Sequence, residues 1–228
     1  ATTTSADWAR DLAGVDVVVN ASGALQDGAR DSLAAIHEDA INNLVAALGT
    51  RPVRFIQISA AGAAPDAATA FMATKGRGDC TLMNTDIDWV VLRPTLVLGR
   101  AAYGGTALLR ASAAMPLVGF AVLPNVPVQT VALDDLAQAV VQSALGHIPS
   151  KTLADVTAPQ VHTFGDLTTL MRNWLGLPQW RATLPVPAPV IKLISKTADV
   201  LGHLGWRSPL RSTALTVLKD GIRGDPAA

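Results

Sequence analysis

Two side chains in one short stretch have the types and spacing to do chemistry: the hydroxyl of Ser59 and the amine of Lys75. They lie in VRFIQISAAGAAPDAATAFMATK, residues 53–75. Val53, Phe55, Ile56 and Ile58 form an apolar run, the pattern of a strand covered on both faces. The run stops at Ser59, and Ala-Ala-Gly-Ala-Ala-Pro opens a loop. Thr69 suits the N-cap of a helix that carries Phe71, Thr74 and Lys75. Phe71 and Lys75 stand at i and i+4 and share one helix face. A hydroxyl at the carboxyl end of a parallel strand, facing a lysine on the next helix, lies where open α/β sheets bind ligands.

Other reactive residues carry less. Asp134 and Asp135 invite an acid–base reading, yet they fall in the first turn of a helix with Leu136, Val140, Val141 and Ala144, where acids complement the helix dipole. Cys80 sits among helix residues and reads as a buried bystander. As the one cysteine, it excludes an internal disulfide framework and a cysteine-based zinc cluster, and no metal site is expected. His37 reads as a solvated residue on a helix, the alternative being a place facing the ligand pocket. Tyr103, the one tyrosine, stands in a hinge-like Ala101–Gly105 segment whose spacing gives it no role. Gly104-Gly105 lacks the Lys-Ser or Lys-Thr of a phosphate-cradling loop.

The elements that must position Ser59 and Lys75 alternate strand and helix. Gly14 to Asn20 is a β-branched strand ending in the turn Asn20-Ala21-Ser22-Gly23. A helix follows from Asp31 or Ser32, with Leu33, Ile36, Ala40, Ile41, Leu44, Val45 and Leu48 at helical spacing and Gly49 as its stop. After the 53–84 strand–loop–helix unit come a strand at Ile87–Leu92 and the passage Arg93-Pro94-Thr95-Leu96-Val97-Leu98-Gly99. A helix at Thr106–Ala114, two small strands within Met115–Gln129, and the acidic-capped helix follow. A strand is expected at Lys151–Val156, a helix at Phe164–Leu175, a strand at Trp180–Val186, and helices at Val190–Leu204 and Leu210–Leu218 divided by Gly202, Gly205 and Pro209. Trp174, Trp180 and Trp206 read as packing residues. This order predicts an α/β fold, a Rossmann-like parallel sheet with helices on both faces, followed by a smaller C-terminal α+β lobe. The division is residues 1–150 for the sheet domain and 151–228 for the lobe and helical tail.

Half of the residues are hydrophobic and 16% are charged, enough to build a core. The net charge of zero gives no reason to expect nucleic acid or an anionic membrane as partner. No apolar run of about 18 residues occurs, since Val186–Leu201 is interrupted by Lys192, Lys196 and Asp199. With no signal-peptide pattern at its start, the segment reads as soluble and cytoplasmic.

In this order the motifs resemble the short-chain dehydrogenase/reductase superfamily, in its extended and atypical branches (sugar-nucleotide epimerases and NmrA-like proteins). The resemblance covers about residues 7 to 185. In that superfamily a Ser or Thr ends this strand and a Tyr-x-x-x-Lys pair follows; Ser59 and Lys75 fit, and the tyrosine position is Phe71. Asn43-Leu44 fits the end of the family's Asn-x-x-Gly-Thr-x-Asn-Leu helix, with His37 at its first Asn, and Arg93–Gly99 fits its Leu-Arg-Pro-x-x-Val-x-Gly passage. The resemblance implies NAD or NADP as cofactor. It implies a nucleotide site from Asn20, Ala21, Ser22, Gly23, Ser59, Ala60, Lys75, Pro94, Thr95, Leu96 and Val97. Ser59 would orient a substrate oxygen, and Lys75 would hold the nicotinamide ribose hydroxyls. The family's tyrosine passes a proton as hydride moves, and phenylalanine has none to give.

Two activities are compatible with this pattern: an oxidoreductase or epimerase on a small molecule, or a non-catalytic NAD(P)H-binding sensor or structural subunit beside a respiratory or quinone-linked system. Helices flanking such a sheet often form dimers in the superfamily. The strand at Val15–Val19 matches the family's fourth, and the glycine-rich pyrophosphate turn has no counterpart in the sequence. Two further strands and helices are therefore expected upstream, making this a partial domain; some similar bacterial proteins carry a DoxX-like membrane segment downstream.

Overall fold

The computed structural model describes residues 3–28, 31–101, 103–203 and 210–227. In chain order the first half contains α1 (Ser5–Asp11), β1 (Val17–Asn20), a π-helical turn (Ala35–Asp39) continuing as α2 (Ala40–Leu48), β2 (Arg54–Ile58), α3 (Ala70–Met83), β3 (Asp88–Pro94) and β4 (Leu96–Leu98). The second half contains α4 (Gly104–Ala113), β5 (Val118–Ala121), β6 (Pro127–Val128), β7 (Thr130–Ala132), α5 (Leu133–Ala144), β8 (Thr152–Val156), β9 (His162–Thr163), α6 (Phe164–Trp174), β10 (Ala182–Pro185), α7 (Ala188–His203) and α8 (Ser212–Lys219). The expected Leu204, Gly205 and Pro209 boundaries, Trp206 and Ala102 lie outside the described residues.

The central sheet runs β1-β2-β3-β8, and all of its pairings are parallel. Side chains alternate across the strands, so each strand feeds two cores. Phe55 and Val91 point to one side, where Ile41, Leu44, Leu48 and Leu82 cover them. Ile56, Val90 and Leu92 point to the other, where Ala139, Val140 and Ala144 of α5 cover them. Phe55 and Ile56 are both fully buried, which accounts for the near-continuous apolar run in the sequence. Helices therefore flank both faces, as the sequence predicts.

Some boundaries shift. The first strand begins at Val17 rather than Gly14, after a turn at 12–14. The strand β8 lies beyond residue 150 and completes the central sheet. The lobe beside the sheet draws on earlier chain as well: β5 pairs in parallel with β10, and β6 pairs antiparallel with β9. Leu109 of α4 and Leu167 of α6 share its core with Val128.

Of the tryptophans, Trp180 packs: Arg172 lies over its ring at 4.5 Å, and its Nε1–H donates to the Met115 carbonyl. Trp174 does not fit the packing expectation. It is 63% exposed, with Arg110 stacked over its ring at 5.0 Å. Among the described residues, no helix is long and apolar enough to cross a membrane, and no His/Cys/Asp/Glu group could hold a metal ion.

Candidate functional site

The site forms where β1, β2 and β3 end. Asn20 closes β1 and is buried, and its Nδ2–H donates to Oε1 of Gln57 at 2.8 Å. Its Oδ1 accepts from both the backbone N–H and the hydroxyl of Ser22. This side-chain-to-backbone bond two residues on is what an Asn-led turn uses to hold its shape. The Asn20–Gly23 turn is thus fastened to β2 at its first residue.

Ser59 follows β2, and its N–H donates to Leu92 of β3. The Ala61 N–H donates to the Pro94 carbonyl, so the loop after β2 is tied to the exit of β3. Thr95 is buried and donates its hydroxyl to Thr157, beyond β8. Leu96 and Val97 belong to β4 and pair with β7. The structure therefore gathers Asn20–Gly23, Ser59, Ala60 and Pro94–Val97 along one edge of the sheet.

Thr69 caps α3 by accepting the Met72 N–H. From α3, Lys75 reaches back to the sheet and donates to the Ile58 carbonyl at 3.0 Å. The amine is buried, and that burial depresses its pKa against the pull of Asp79. A side chain on Gly23 would lie only 3.7 Å from Lys75 Nζ, which places the turn directly above the amine. Phe71 lies beside it, with Nζ 5.9 Å from the ring centroid.

Ser59 is not free to act alone. Its hydroxyl donates to Oδ2 of Asp79 at 2.7 Å. Asp79 is fully buried and takes two further bonds from Arg93, at 2.9 and 3.1 Å. Burial raises its pKa, opposed by Ser59, Arg93 and Lys75. The Ser59 proton is thus committed to a carboxylate, and its oxygen is left to accept. In the sequence, the one local sign of Asp79 at this site is its i+4 spacing from Lys75 on one helix face.

His37 corrects the expectation of a solvated histidine. It is 2% exposed and faces the site. Leu33, His37, Ile41, Leu44 and Leu48 form one buried line at i, i+4 and i, i+3 spacing, and a π turn at Ala35–Asp39 lies within it. His37 Nε2 accepts from the Ala24 N–H at 3.2 Å, and Nδ1 lies 2.8 Å from Thr74 Oγ1. Its ring meets Phe71 edge-on, centroids 5.7 Å apart. Burial and Lys75 draw the imidazole pKa down to about 4, against Glu38 and Asp27.

Tyr103 is 84% exposed. Asp134 and Asp135 occupy the first turn of α5, as expected of dipole partners. A cleft of about 700 Å³ opens at the carboxyl side, lined by Gly62, Arg93, Gln129, Asp155 and Arg223 among others. The C-terminal residues run along it, with the Gly224 N–H donating to Gln129 and the Asp225 N–H to Asp155.

Residues 1–145 match the model of a family described as NAD(P)H-binding. No curated protein matches the chain by sequence. Among solved structures, the chain is similar to the Bordetella bronchiseptica enzyme WbmG in complex with NAD and UDP, with a TM-score of 0.64, 17% identity, and coverage of 96% of this chain and 77% of that one. It is similar to UDP-glucuronic acid 4-epimerase from Bacillus cereus in complex with NAD, at 0.64 and 17%, covering 94% and 78%. It is also similar to RMD from Pseudomonas aeruginosa complexed with NADPH, at 0.63 and 14%, covering 93% and 84%. At these identities the likeness establishes the fold.

Proposed function

The chain belongs to the NAD(P)H-binding family, and from that membership we propose that it holds NAD or NADP across the carboxyl ends of β1, β2 and β3 and acts as an atypical short-chain dehydrogenase/reductase, an oxidoreductase or epimerase on a small molecule. The observation that carries this is the buried Lys75 amine lying under the Asn20–Gly23 turn, next to Ser59. A lysine has three N–H donors, and the Ile58 carbonyl takes one. The others suit ribose hydroxyls resting on a turn that has no side chain at Gly23. The solved neighbours with NAD, NADPH or UDP bound agree with such a site.

The nucleotide supplies or accepts hydride when bound. The chain's own residues bind and orient: Lys75 the ribose, Pro94–Val97 the nicotinamide half, and Ser59 a substrate hydroxyl, from which its oxygen accepts while its proton stays on Asp79. The β1-β2-β3-β8 sheet and its helices would serve the nucleotide, and the lobe built from α4, β5, β6, β9, α6 and β10 the substrate side. The single cysteine and the match to an NAD(P)H-binding family support a cytoplasmic setting. A homo-oligomer through the flanking helices is compatible with this role, and neither nucleic acid nor membrane is needed as partner.

A second reading, a non-catalytic NAD(P)H sensor or structural subunit, is favoured by Phe71. Its ring stands at the position of the family's proton donor and lies near both His37 and Lys75. Fluorescence titration of the wild type and Phe71→Tyr with NADH and NADPH tests both readings. Saturable binding by both proteins, within about fivefold of each other (about 1 kcal/mol), is expected. NAD(P)H oxidation by the wild type with a carbonyl substrate favours the enzyme; none from either protein favours the sensor. Absence of binding to either nucleotide would overturn the proposal.

A further inference from the structure

We propose that His37 is a positioning residue: its ring pins the Asn20–Ala24 turn to α3 and thereby sets the floor against which a nucleotide ribose lies beside Lys75. The inference rests on the nucleotide reading above and deepens it.

The proton assignments have one solution. A backbone amide only donates, so Nε2 of His37 must accept from Ala24. The Thr74 hydroxyl donates to the carbonyls of Ala70 and Phe71, at 2.8 and 3.2 Å, so its oxygen is left to accept. Nδ1 therefore carries the hydrogen and donates to Thr74. The chain Ala24 N–H, His37, Thr74 hydroxyl, α3 carbonyl is continuous and has no spare proton. With both ring nitrogens engaged and the ring buried, His37 is closed to the proton-transfer role that a histidine near a reductase site invites.

What it does instead follows from where the turn is held. The turn has two fastenings: Asn20 to Gln57 at one end, and Ala24 to His37 at the other. Between them lies Gly23, where an added Cβ would be 3.6 Å from His37 Nε2 and 3.7 Å from Lys75 Nζ. The imidazole and the amine thus form one surface beneath the glycine. Phe71 closes the far side by meeting the imidazole edge-on at 71°. A phenyl ring without a hydroxyl suits that packing. Loss of the ring acceptor would leave the Ala24 amide unpaired and the turn held at one end only.

The test uses His37→Leu, which keeps apolar volume and loses the acceptor, and His37→Gln, which restores a carbonyl oxygen. In the wild type without nucleotide, 15N spectra should show the ring protonated on Nδ1 and bare on Nε2, and the Ala24 amide should exchange slowly. In His37→Leu that amide should exchange at least about tenfold faster, and NADPH should bind about tenfold more weakly, or about 1.4 kcal/mol. His37→Gln should bind within about threefold of the wild type, about 0.7 kcal/mol. A ring protonated on Nε2, or an Ala24 amide indifferent to His37→Leu, would overturn the pin. A faster Ala24 amide with unchanged NADPH affinity would overturn the positioning role. A His37-dependent Ala24 amide in a protein that binds no nucleotide would support the pin and overturn the nucleotide reading.

Discussion

A buried imidazole beside a buried ammonium gives up its proton early, and this ties stability to pH at one residue. An unfolded histidine titrates near 6.5. In the fold, burial first and Lys75 second draw His37 down to about 4, with Glu38 and Asp27 pulling the other way. Between those values the unfolded chain holds the extra proton. The stabilisation is therefore complete above about pH 6.5 and is lost as pH falls toward 4, by at most about 1.4 kcal/mol per pH unit. Urea midpoints should fall more steeply between pH 7 and pH 5 for the wild type than for His37→Gln. Parallel slopes would contradict a buried neutral imidazole. At this scale the sequence made Ser59, Phe71 and Lys75 legible, because a strand end and an i, i+4 pair are local patterns. His37 was hidden by its residue type, since a histidine suits solvent, although its place four residues after Leu33 and four before Ile41 puts it on the buried line. Asp79 was hidden because its partners, Ser59 and Arg93, come from two different strand exits.

Helix α3 owes its position to the absence of two side chains. A Cβ on Gly76 would collide with the Ala64–Pro65 backbone, and one on Gly78 with the His37 carbonyl. Glycine in a helix interior ordinarily costs about 1 kcal/mol relative to alanine, so on propensity alone Gly78→Ala should stabilise. The collision reverses that sign. Overpacking against backbone costs about 1–3 kcal/mol. Gly78→Ala should therefore lower stability in denaturant titration by about that amount less the propensity gain. A gain would show that the π turn and α3 are not in contact as described. The order of helices and strands was legible because periodicity changes sharply at each turn. The short pairings β4–β7, β5–β10 and β6–β9 were not, because strands of two to four residues carry too little alternation to reveal a distant partner.

At the scale of the whole molecule, the strand order β1-β2-β3-β8 brings three loop ends to one edge, and no single loop could form the site alone. The Asn20 turn comes from β1, Ser59 from β2 and Pro94–Val97 from β3, and Lys75 reaches them from α3. Parallel order with helices on both faces was legible from the strand–helix alternation. Thr152–Val156 is legible as a strand, but its place beside β3 in the same sheet is not, because sequence shows where a strand lies and not which neighbour it joins. The most direct measurement is hydrogen exchange of the protein with and without saturating NADPH or NADH. Slower exchange confined to segments around 20–24, 58–61, 71–75 and 93–97 is expected. Exchange unchanged by either nucleotide, or protection centred elsewhere on the chain, would contradict a nucleotide site at this edge of the sheet.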